Sequence, residues 1–168
     1  MENDYKIQRK KLIEKTQEKD PQFKDARKFI LAMCRTFLIT RLMFVVIETT
    51  LTMSAGLELS SCMINWFSLL VGLAFMFLIY NGSKPLVYLA TMGGFISLIQ
   101  FVAQIYIIQF AIETANTSLI FYYIAFAITV LAQIITMISI LIKKACKGYF
   151  TTISEINNKL LLQNQKKL

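Results

Sequence analysis

Arg41 and Glu48 stand seven positions apart in the stretch CRTFLITRLMFVVIETT, residues 34–50, whose other residues are mostly apolar. Seven residues are close to two helical turns. Both side chains therefore project from one helix face, about 10.5 Å apart along the axis. In hydrocarbon each ionised group costs roughly 3 kcal/mol on insertion scales, so each needs a partner or a route to water. Extended side chains or one bridging water would bring the two together. Arg35 has an exit, because it already lies in the inner headgroups if lipid begins near Phe37; the long stem of Arg41 can reach back out from about 6 Å inside that boundary. Arg41 has two placements: close to the inner boundary if lipid begins at Phe37, or near mid-membrane if it begins at Phe29. Glu48 is expected to be deep in both. Two kinds of chemistry fit such a pair: a satisfied structural ion pair, or a polar site in which Glu48 titrates or meets a small ligand.

Other apolar segments carry polar or small residues at helical spacing. Gly93, Ser97, Gln100 and Gln104 follow at intervals of four, three and four; Thr129, Gln133 and Thr136 at four and three; Asn65, Ser68 and Gly72 at three and four. One-sided stripes of small and hydrogen-bonding residues are how membrane helices pack on one another. The expectation is a central cluster of Arg41, Glu48, Gln100, Gln104, Thr129 and Gln133.

Several chemistries have no residues to carry them. The chain has no histidine, which removes the usual catalytic triads and histidine metal sites. Its three cysteines, Cys34, Cys62 and Cys146, are far apart and odd in number, which argues against a disulfide framework or a zinc site. Glycine-rich phosphate loops, paired intramembrane aspartates and a deep lysine for a serine hydrolase are missing as well. No enzyme activity, cofactor or metal is therefore expected.

The elements that must position these residues are legible from composition. Of 168 residues, 56% are hydrophobic and 17% charged, and the apolar ones lie in long blocks. A span needs about 20 apolar residues to cross about 30 Å of hydrocarbon. Four spans are read, at 29–57, 63–80, 86–110 and 118–142. Residues 1–28 hold nine Lys/Arg against six Asp/Glu, and residues 143–168 hold six Lys against one Glu. Lys84 lies between the second and third spans; Glu58 and Glu113 lie in the other two connections. Cytoplasmic flanks are enriched in Lys and Arg, which puts both termini and Lys84 inside and the two glutamates outside. The fold expected is an all-α integral membrane four-helix bundle with both termini cytoplasmic. Trp66, Tyr106, Tyr122 and Tyr123 fall at outer span ends and Tyr80, Tyr88 and Tyr149 at inner ends, the depth that amphipathic rings prefer.

The arms outside the spans read as helical extensions. Asp20 and Pro21 form an N-cap and first-turn pair, from which a helix runs into the first span. The charged segment before it reads as a weakly amphipathic, surface-lying helix or as a disordered arm, with the helix preferred. Thr152 and Glu155 have capping-box spacing, and Ile153, Ile156 and Leu160 then line one face. That predicts a short amphipathic helix on the inner leaflet, or one that pairs helices in an oligomer. The basic arms are expected on anionic headgroups, not on nucleic acid. A homo-oligomer or a membrane-protein partner is expected, in a bacterial plasma membrane first and an organelle membrane second. The function classes left are a non-enzymatic scaffold or accessory subunit working through helix contacts, and a small homo-oligomeric transporter or channel built around Glu48.

Overall fold

The computed structural model describes residues 2–56 and 59–165, which form seven α-helices, one 3₁₀ turn and no strand. The helices are α1 (Glu2–Lys19), α2 (Pro21–Ser54), α3 (Met63–Tyr80), α4 (Lys84–Ala103), α5 (Ile105–Glu113), α6 (Thr117–Ile142) and α7 (Lys144–Gln165); the 3₁₀ turn is Leu59–Cys62. Four of them, α2, α3, α4 and α6, are long and apolar enough to cross a membrane. Glu58, Lys166 and Lys167 lie outside the described residues.

Helix α2 begins as its sequence dictates. The Asp20 side chain accepts from the backbone N–H groups of Gln22 at 2.9 Å and Phe23 at 3.3 Å, and Pro21 occupies the first helical position. The orphan donors of the first turn are thereby satisfied at a residue that needs no N–H of its own. The helix has 34 residues, about 51 Å at 1.5 Å per residue, so it outruns a 30 Å hydrocarbon core by several turns. The surplus is used for packing. Phe23, Ala26 and Ile30 are buried in a core shared with Ile13 of α1 and with Cys146, Tyr149, Phe150, Ile153, Ile156 and Leu160 of α7.

This core corrects the reading of the C-terminal arm. Helix α7 starts at Lys144, so Thr152 and Glu155 lie inside it and cap nothing. The Ile153, Ile156 and Leu160 stripe is present, but all three side chains are buried within the chain, against α1 and α2. An apolar face already covered by its own chain is not offered to a leaflet or to a second copy.

Both arms and the α3–α4 turn meet at one end of the molecule, called here the basic end. Arg9 of α1 donates to Asn157 of α7 at 2.9 Å and to the side chain and carbonyl of Asn81, each at 3.0 Å. The Tyr149 hydroxyl of α7 donates to the carbonyl of Tyr80. Gly82, in the turn, has φ +101° and lies directly beneath Ile153.

The long helices pack unevenly. Helix α6 lies against both α2 and α4, whereas α3 packs on α2 and meets α4 less extensively. Only 17% of the apolar window of α3 is buried, against 33% for α6, so α3 is the peripheral helix. A second correction concerns the expected span 86–110. It is two helices, α4 and α5, parted at Gln104 (φ −93°, ψ 12°), with no proline or glycine to mark the break. Helix α5 packs along α6 at the end opposite the basic one, the distal end.

Candidate functional site

Helix α3 supplies the partners of both ionisable groups on α2. The Asn65 amide nitrogen lies 2.6 and 2.7 Å from the two Glu48 carboxylate oxygens. One turn further on, Arg41 donates from Nη2 to the Ser68 hydroxyl at 2.7 Å, and its guanidinium lies 5.8 Å from the Phe44 ring centroid. Trp66 adds a third link, from its indole N–H to the Thr49 hydroxyl at 3.1 Å. The antiparallel run of α2 against α3 sets this order: Gly72 lies against Phe37, and Cys34 donates to the Met76 carbonyl. The expected direct Arg41–Glu48 pair is not formed. Two turns of separation are bridged more cheaply by two short neutral side chains facing them across the helix interface.

The expected central cluster divides into two places. Arg41 lines a cavity of about 240 Å³ together with Ser68, Gly72, Gly93, Ser97 and Gln133. The small residues of α3 and α4 open this space, and Gln133 of α6 closes one wall by donating to the Ala90 carbonyl at 2.7 Å. Ser68 is the sixth of the 18 residues of α3, so Arg41 meets that helix about a third of the way along from its N-terminal end. Glu48 lines a separate cleft of about 320 Å³ with Leu51, Thr52, Ala55, Asn116, Ser118, Leu119 and Tyr122. It lies only six residues, about 9 Å, from the end of α2, beside connecting-segment residues, and not at the centre.

Of the remaining candidates, Thr129 is buried and bonds the carbonyls of Ala125 at 2.9 Å and Thr40 at 3.4 Å, which ties α6 to α2. Gln100 is exposed on α4 and Gln104 sits at the α4–α5 break; neither lines either cavity. The stripe on α4 holds for Gly93 and Ser97 and is lost beyond them. Asn65 and Ser68 were legible as a stripe on α3, but nothing in the sequence paired them with particular residues of α2.

The aromatic residues also divide. Trp66, Tyr88 and Tyr106 are exposed, and Lys84 lies 5.8 Å from the Tyr88 ring. Tyr80 carries the Arg27 guanidinium at 5.0 Å. Tyr122 stacks with Phe126 and tilts against Phe44. Tyr123 and Tyr149 are buried, so their rings face protein and not headgroups. Burial pushes the Tyr149 hydroxyl up to about 12, against the opposing pull of Arg27 and Arg9. Burial likewise raises Cys146, with Lys143 opposing.

These features define an all-helical chain with four helices of membrane-spanning length and apolarity, which is consistent with a membrane location. No protein-family model matches the chain, and neither a curated protein nor a solved structure resembles it significantly.

Proposed function

We propose that the protein is a multi-pass membrane scaffold or accessory subunit, with no catalysis of its own, which acts through lateral helix contacts. The observation that carries this reading is the use made of the polar groups. Arg41, Glu48 and Thr49 are each spent on a side chain of α3, so the intramembrane polarity serves to hold a peripheral helix. That leaves the outer faces of α3 and α4 apolar and exposed, with Ile64, Phe67, Leu70 and Phe77 on α3 and Met92, Ile96 and Ile99 on α4. Such faces suit lipid and the helices of a second copy or of another membrane protein. Lys/Arg enrichment at the arms and the α3–α4 turn supports a cytosolic basic end, resting on anionic headgroups, with the distal end outside. A bacterial plasma membrane is the preferred location.

A second reading, a small homo-oligomeric transporter or channel, draws on the cavity in which Arg41 meets Ser97 and Gln133. Reconstitution into liposomes separates the two. For a scaffold, wild type and Glu48→Gln show the same absence of ion flux and the same association state. Flux that changes in rate or pH dependence when Glu48 loses its charge would replace the scaffold with the transporter.

A further inference from the structure

Arg41 lines the cavity of about 240 Å³ between α3 and α4 and uses little of its hydrogen-bonding capacity there. A guanidinium has five N–H donors. Ser68 accepts one of them, and among the described residues no other acceptor meets the group. None of its nitrogens is both buried and unbonded, so the unused donors face open space and are not sealed in protein. We propose that this cavity receives a carboxylate side chain from a transmembrane helix of a different membrane protein, and that Arg41 is the residue that docks it. The proposal rests on the scaffold reading and names the chemistry of the partner.

The first observation is the charge. Arg41 is bonded to a neutral hydroxyl, and no acidic residue lines the cavity; Glu48 lines the distal cleft and is held by Asn65. A cation within an apolar layer calls for a counter-ion, and a carboxylate that accepts two guanidinium N–H groups is the strongest such pairing. The second is the mouth. Val71 of α3 and Leu89 of α4 line the cavity and are themselves 38% and 55% exposed, so the opening lies on the outer, apolar faces of these helices. With the four long helices in a bilayer, an occupant entering there arrives in its plane and not from water. Gly72, Gly93 and Ser97 also line the cavity, and small residues let a second backbone come close. The third is size: the cavity is smaller than the roughly 300 Å³ at which drug-sized ligands are taken, and suits one side chain.

A second copy does not supply that side chain. The acidic residues of the four long helices are Asp25 and Glu48, both on α2. Asp25 lies in the first two turns, at the basic end, and Glu48 is engaged with Asn65. The partner is therefore another protein, whose spanning helix carries a free Asp or Glu.

The test uses the full chain in mixed micelles at pH 8 with Leu–Ala transmembrane peptides of about 20 residues. Each peptide carries one Glu, or as control one Gln, at the sixth position, the depth of Ser68 in α3. A dansyl group on the peptide reports binding by energy transfer from Trp66, the single tryptophan of the chain. The Glu peptide is expected to bind at least about tenfold more tightly than the Gln peptide, as a hydrogen bond to a charged group provides. Arg41→Gln is expected to abolish that preference. Arg35→Gln, at an exposed arginine of α2 outside the cavity, is expected to leave it intact. Should Arg41→Gln not fold, Gly93→Val decides: its Cβ has ordinary room, 3.6 Å from Gln133 Nε2, and its methyl groups narrow the cavity, so the preference should fall with Arg41 untouched. The proposal is overturned if the two peptides bind alike, if the preference survives Arg41→Gln, or if Arg35→Gln removes it equally. It is also overturned if chloride, exchanged for gluconate at constant ionic strength, displaces the Glu peptide, which makes the occupant a small anion, or if the wild type dimerises through Arg41, which makes it a second copy. Equal binding of the two peptides leaves the scaffold reading standing, whereas ion flux in liposomes removes that reading and leaves the peptide preference as measured.

Discussion

The amide nitrogen of Asn65 reaches both carboxylate oxygens of Glu48, at 2.6 and 2.7 Å, so one α3 side chain holds the acidic group of α2. Arg41, on the same face of α2, is engaged with Ser68. Each charged group is thus paired with a neutral partner on the peripheral helix. The attachment of α3 to α2 accordingly depends on two short polar side chains as well as on apolar packing.

A double-mutant cycle measures that attachment. Hydrogen bonds to a charged group are worth about 1.5–3 kcal/mol in soluble proteins, whereas interhelical bonds in membrane proteins average about 0.6 kcal/mol. The partial exposure of Glu48 at the distal cleft favours the lower part of that range. Asn65→Ala is expected to cost about 1–2 kcal/mol in wild type and under about 0.5 kcal/mol once Glu48 is Gln, which no longer presents two charged oxygens. Equal costs in the two backgrounds, measured by detergent-denaturation titration, would show that the contact does not stabilise the pair.

Gly82 and Gly148 should respond in opposite directions to the same change. At Gly82, φ is +101° and a Cβ would come 2.2 Å from Ile153 Cγ2. Strain and overpacking each cost about 1–3 kcal/mol, so Gly82→Ala is expected to destabilise by about 3 kcal/mol or more and to loosen α7 from the turn. Gly148 lies within α7 with open space around its Cα, and Gly148→Ala is expected to gain about 0.5–1 kcal/mol. Thermal midpoints of the two variants, compared with wild type, check both signs.

The sequence carried some of this and not the rest, for physical reasons. The Asp20–Pro21 cap and the limits of α3 and α6 are written in local residues, because caps and uninterrupted apolar runs act within one segment. The same is true of the stripe formed by Ser68 and Gly72. What was not legible depended on contacts between segments. Thr152 and Glu155 had the right spacing for a capping box, but a cap needs a non-helical residue, and the packing of Cys146 and Tyr149 draws the helix back to Lys144. Arg41 and Glu48 shared a face in the sequence, yet which groups meet them depends on the register of α3, which no local pattern encodes. The break at Gln104 has no signal in the local sequence.

Tyr149 makes the basic end sensitive to alkali. Its ring stacks on Phe23 at 5.1 Å, its hydroxyl donates to the Tyr80 carbonyl, and burial raises its pKa to about 12 from an ordinary value near 10. A raised folded-state pKa means that the neutral form is the one the fold favours. Its contribution is therefore complete below pH 10 and is lost as pH rises from 10 through about 12. Tyr149→Phe should lower the stability at pH 8 by the value of one hydrogen bond, about 1 kcal/mol. Its midpoint should then fall less steeply than that of wild type between pH 10 and 11.5. Parallel alkaline slopes for the two proteins would mean that another group governs the loss.

The three native cysteines provide a clean background for the orientation of the helices. Cys34, Cys62 and Cys146 are 4%, 1% and 0% exposed, so in the folded chain none should react readily with a membrane-impermeant maleimide, and all should react after denaturation in SDS. Lys11 on α1 and Glu113 at the end of α5 are both exposed and lie at opposite ends of the molecule. With the basic end in the cytosol, Glu113→Cys should label in intact cells, whereas Lys11→Cys should label only once the membrane is opened. The reverse pattern would place the lysine-rich arms outside. Charge asymmetry would then have failed to set the threading.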